Sequence, residues 1–81
     1  MIEITLDGAL GLDAIHSQLA DALHFPAYYG RNLDALYDCL TEVEEDVRIQ
    51  LVNSEALEWR GNVLQILLQR AAHHNPHLQV L

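Results

Sequence analysis

Asp34, Asp38, Glu42 and Glu45 recur at steps of four, four and three residues. On a helix of 3.6 residues per turn they share one face and form an acidic ridge. Such carboxylates could work as a general acid and base, or meet the cations of a partner. The first reading lacks support, because an i, i+4 pair on an exposed helix is commonly a solvated face. Cys39 has no supporting spacing to His16 or His24, and it sits at the edge of an apolar stripe where an inert packed thiol is expected. The ridge itself is unfavourable by about 0.2–0.5 kcal/mol per like-charged pair, so either salt screens it or a cationic partner uses it.

Three of the five aromatic residues, Tyr28, Tyr29 and Tyr37, flank the start of this ridge. Core packing accounts for one of them. Tyr37 lies between the apolar and acidic faces, so its ring can pack while its hydroxyl reaches solvent or a partner, and tyrosine is enriched where interfaces concentrate their energy. Gly30 is expected to supply a backbone angle that other residues dislike. His73, His74 and His77 cluster within five residues, but Pro76 interrupts them and no carboxylate or cysteine nearby completes a zinc set. They read as solvated histidines near a helix C-terminus. No phosphate loop, nucleotide fingerprint or nucleophile elbow is present, and no cofactor or metal is expected.

The elements that must hold these residues follow from periodicity. Ile2, Ile4 and Leu6 alternate with polar residues and predict a strand over residues 2 to 6. Leu12, Ile15, Leu19, Ala22 and Leu23 predict an amphipathic helix over about 10 to 24, stopped by Pro26. Asn32 is a good N-cap for a second helix that buries Leu33, Leu36, Leu40 and Val43, with Asp34 favourably placed in its first turn. Val47, Ile49 and Leu51 predict a second strand, and Asn53-Ser54 cap a short helix to about Trp59, a core or cover residue. Arg60-Gly61-Asn62 breaks that helix before a longer one around Val63, Ile66, Leu67 and Ala71, which Asn75-Pro76 stops. Leu78, Val80 and Leu81 make a third strand. The expected fold class is α/β, a small single-layer three-stranded parallel sheet packed with about four helices in a single domain over residues 1–81. Glu3, Thr5, Arg48, Gln50 and Gln79 suggest that its second face is partly open.

Composition narrows the partner. The chain has 81 residues, twelve acids, four arginines and no lysine, for a net charge of −8. That field repels nucleic acid and anionic membranes and speeds encounter with basic proteins, although acidic surfaces also serve simple solubility. One cysteine excludes an intrachain disulfide and suits a reducing compartment. Met1 to Asp7 lacks the basic start and apolar stretch of a signal peptide, and nothing later is long enough to span a membrane. A cytoplasmic protein, monomeric when unbound, is expected.

Pro26, Tyr28-Tyr29-Gly30, Asn32-Leu33-Asp34-Ala35-Leu36 and Asp38-Cys39-Leu40-Thr41 resemble, almost residue for residue, the barstar family of small intracellular inhibitors of microbial ribonucleases such as barnase. The element order fits that family over essentially the whole length. The resemblance implies a one-to-one inhibitor, with no chemistry of its own, that plugs a basic ribonuclease's active site and sets carboxylates where RNA phosphates would lie. By position, Asp34 and Asp38 would meet the enzyme's cationic groups, with Asp38 in the phosphate-mimicking role. Tyr28 and Tyr29 would pack on its base-reading or catalytic surface, and Gly30, Asn32, Leu33 and Thr41 would add close backbone and polar contacts. Several positions depart from the family pattern. Tyr37 stands for a tryptophan, Gln69 for a contacting glutamate, Glu42-Val43 for a glycine and tryptophan, and Arg31 for an acid. They point to a binding surface retuned at its far end, where Glu42 joins the site. A binding module of this fold with a partner other than a ribonuclease is the alternative.

Overall fold

Alternation of apolar and polar residues builds the sheet as the sequence predicts. The computed structural model describes every residue from Met1 to Leu81. Strands β1 (Ile2–Asp7), β2 (Val47–Val52) and β3 (Leu78–Val80) run parallel in the order β1-β2-β3. In register, Ile4 faces Ile49 and Ile49 faces Val80, while Glu3, Arg48 and Gln79 line up across the other face. Strand order advances in one direction, and right-handed crossovers then keep every helix on the same side. The burial pattern agrees. Ile4, Leu6, Val47 and Ile49 are buried, whereas Glu3, Thr5, Gln50 and Gln79 are exposed. The open face is tied by polar bonds instead: Arg48 Nη1 donates to Glu3 Oε1 at 3.0 Å and Arg48 Nε to Gln79 Oε1 at 3.3 Å.

Three α-helices cover the apolar face, one fewer than expected. They are α1 (Leu12–Leu23), α2 (Leu33–Thr41) and α3 (Trp59–His74). Two 3-10 turns, Gly8–Leu10 and Ser54–Leu57, fill the strand ends. The difference lies at Gly61. Instead of breaking a helix, it sits buried in the first turns of α3, where an added Cβ would lie 2.2 Å from the Ser54 carbonyl oxygen. Glycine is required there for close approach between backbones. The stretch before it therefore tightens into a turn rather than a separate helix. Trp59, expected in or over the core, starts α3 pointing outward and is 68% exposed.

The core joins Ile15 and Leu19 of α1, Leu36 and Leu40 of α2, and Leu64, Leu68 and Ala71 of α3 to the covered strand residues. Each leucine fully withdrawn from water contributes roughly 1.5–3 kcal/mol. Two of them, Leu36 and Leu40, hold the nine-residue α2 in place. Its C-terminal end is held by a residue distant in sequence. Buried Asn75 donates through Nδ2 to the Leu40 and Val43 carbonyl oxygens at 2.9 and 2.8 Å, one in the last turn of α2 and one just past its end. Hence α2 stops at Thr41. Glu42 caps it, and Glu45 lies beyond it, so the helical ridge is shorter than its spacing suggested.

Candidate functional site

Ten of the eleven candidate residues lie on α2, its C-cap and the loop before it, and the other, Gln69, on α3. Asn32 caps α2, its Oδ1 accepting the Ala35 amide at 2.8 Å, which fixes where the helix starts and hence which way its side chains face. Asp34 and Asp38, one turn apart, are exposed and neither forms an ion pair. Leu33 and Tyr37 are half-buried against the core from the same helix. Thr41 Oγ1 donates to the Asp38 carbonyl at 2.8 Å, so its hydroxyl is committed within the last turn. The dipole of α2 places Asp34 favourably near its positive end.

The two adjacent tyrosines divide the labour of the loop. Tyr28 is 87% exposed. Tyr29 turns inward, meeting Phe25 edge-on at 4.9 Å between ring centres, and its hydroxyl lies 2.5 Å from Nδ1 of buried His16. Burial pushes the Tyr29 hydroxyl up to about 12, with the Cys39 thiol adding to the shift. The same burial lowers His16, and the Arg31 guanidinium lowers it further. Cys39 is raised by burial and by Glu42 and Asp38, as befits a packed thiol that stays protonated. Tyr28, Tyr29, Gly30, Asp38 and Glu42 share one shallow concavity of about 260 Å³.

Arg31 anchors this loop to α1. One of its terminal nitrogens donates to the Asp13 carboxylate at 2.5 Å, to the Asp13 carbonyl at 2.8 Å and to Ser17 Oγ at 3.0 Å. The bond holds the Asp13 carboxyl below the usual carboxylate range. Arg31 also carries the left-handed backbone angle of the loop, with φ of 53°. Gly30, expected to have that role, does not; a Cβ there would come within 3.0 Å of Asn32 Nδ2, so its small size makes room for the helix cap.

Across a groove from α2 lies α3. Leu33, Asp34, Tyr37 and Asp38 form one wall, and Val63, Ile66 and Arg70 belong to the other, enclosing about 560 Å³. Gln69 lies further along with Tyr37, His73 and His74 around a second hollow. The structure thus brings all eleven sequence-derived residues onto α2, its leading loop and the facing side of α3. What periodicity missed was His16, Asn75 and the apolar outer face of α3. His16 had no local signal, because its partner is thirteen residues away. The histidines near the C-terminus do not converge: His77 Nδ1 lies 3.0 Å from Asp46, and no three His, Cys, Asp or Glu side chains gather as for a metal. No helix is long and apolar enough to cross a membrane.

A family model described as Barstar (barnase inhibitor) matches residues 1–77. Among curated proteins, the chain is 54% identical over 43 residues to one from Bacillus subtilis (strain 168) named "Putative ribonuclease inhibitor YrdF". That match covers 51% of this chain and 47% of the relative, so it spans about half the length of each.

Proposed function

The chain belongs to the barstar family, and from that premise we propose that it inhibits a basic microbial ribonuclease, one to one, by lodging α2 and the Tyr28–Asn32 loop in the enzyme's active site. Its role is of the barnase-inhibitor kind, and it is not an enzyme. The finer reading rests on a single observation: two free carboxylates, Asp34 and Asp38, project from a capped helix beside the exposed ring of Tyr28. Such groups are pre-organised, since the helix and its cap are already formed before binding.

A ribonuclease active site gathers cations to hold RNA phosphates. Asp38, with Asp34 a turn away, would present negative charge there while Tyr28 covers the adjoining surface. No covalent step is needed; substrate is excluded. The net charge of −8 speeds the encounter, and the desolvated carboxylates slow its reversal. The inhibitor acts in the cytoplasm as a monomer until it meets its enzyme.

The test is inhibition of barnase and a panel of small basic microbial ribonucleases. Asp38→Ala should weaken binding by about 2–5 kcal/mol, the range for truncating one partner of a buried interfacial charge pair, some of it measured on the barnase–barstar pair itself. Glu55→Ala, on the 3-10 turn after β2, should leave inhibition unchanged. Equal losses for the two variants would refute the mapped surface.

A further inference from the structure

Trp59, Val63 and Ile66 follow one another on α3 at steps of four and three, with Arg70 four residues on, so they share a face. Trp59 is 68% exposed and Ile66 58%. Apolar side chains scattered singly over a surface need no explanation, but a run along one helix face is a patch. Its charge is as unusual as its polarity. Of four arginines, Arg31 is paired with Asp13 and Arg48 with Glu3. Arg60 and Arg70 are exposed, form no ion pair, and both lie on α3. Arg70 even shares the groove with Asp34 and Asp38 without pairing to either. An acidic molecule therefore keeps its two uncommitted cations on the helix that carries its apolar stripe, and one of them, Arg70, lies across the groove from its uncommitted carboxylates.

We propose that Ile66 and Arg70, on the face of α3 that borders the groove, decide which ribonuclease the chain accepts, and that the enzyme it fits carries a bulky apolar side chain and a carboxylate beside its cationic active site. The inference rests on the ribonuclease reading and deepens it. Charge complementarity sets the chemistry: α2 asks for cations, whereas Arg70 asks for an acid. Packed helices are separated by about 8–10 Å, which sets the distance between the enzyme's cationic cluster and that acidic, apolar neighbour. The apolar side chain would enter the groove between Tyr37 and Ile66. A partner lacking this second feature would meet an unpaired arginine and gain nothing from the stripe, so α3 discriminates among ribonucleases that all share a basic active site.

The experiment measures Kd for the tightest-bound member of a ribonuclease panel that includes barnase. Ile66→Ala should weaken binding about tenfold, as for a side chain filling a desolvated pocket. Arg70→Glu should also weaken it about tenfold, although it makes the inhibitor more acidic. Charge attraction alone predicts the opposite sign for that variant. Leu10→Ala, a comparably exposed apolar side chain outside the groove, should change nothing. If Asp38→Ala leaves Kd unchanged, the ribonuclease face itself is wrong. If Asp38→Ala weakens binding while Ile66→Ala and Arg70→Glu do not, only the assignment of α3 falls. Light scattering of the free chain supplies a further arm: a dimer that Ile66→Ala disperses, with enzyme affinity unchanged, would mean that the stripe is covered by a second copy and would overturn the proposal.

Discussion

His16 is 5% exposed and sits against the Tyr29 hydroxyl, with Arg31 and Asp13 as its charged neighbours. Its proton affinity is lowered in the folded chain from the ordinary value of 6.5. The unfolded chain therefore binds this proton more readily, and stability is complete above pH 6.5 and declines as pH falls below it. Urea denaturation followed between pH 7.5 and 5 should show that decline, and His16→Gln should flatten it. Tyr29→Phe removes the hydroxyl and leaves His16 Nδ1 without its partner, which should cost about 1–3 kcal/mol by the same measurement. The three tyrosines show how far residue types alone could be read. Their clustering near the ridge was visible, but the core takes two of the rings, Tyr29 and Tyr37, where one was expected. The second was not legible, because Tyr29 is turned inward by Phe25 and His16 across a fold that local spacing does not contain. The Gly30 expectation failed for a related reason: the loop's left-handed residue is Arg31, whose side chain is bonded to α1.

At the scale of elements, the strands were legible because period-two alternation survives wherever one face of a sheet is wet. Helix α2 was legible at its start, where Asn32 is a local cap, and not at its end, where Asn75 supplies the stop from α3's C-terminus. Asn75→Ala should therefore destabilise the protein by about 1–3 kcal/mol, since it removes the buried donor to the Leu40 and Val43 carbonyls at the end of α2, and hydrogen exchange should rise first in the residues 40–43. Gly61 misled in the opposite sense, since a glycine at helix spacing resembles a break until its neighbour is known. In an open helix Gly→Ala is stabilising by about 1 kcal/mol. Here Gly61→Ala places a methyl group against backbone at Ser54 and should lower the thermal midpoint, a sign reversal that calorimetry would detect.

For the molecule as a whole, one-directional strand order leaves three helices on one side and a polar sheet face on the other. Composition made that asymmetry readable, since alternate strand positions are polar, but it could not say which helix face would remain free. The acidic surface predicts fast, salt-sensitive association: raising ionic strength from low salt to about 0.5 M should slow stopped-flow binding to a basic ribonuclease by about tenfold or more, with little change in dissociation. Trp59 is the single tryptophan of the chain. Because its indole already meets water in the folded state, its emission should shift little when the protein unfolds and move to the blue when α3 is covered. The chain's own indole is thus nearly silent about folding and reports instead on occupancy, so unfolding has to be followed by circular dichroism while the tryptophan reads whether the docking face is covered.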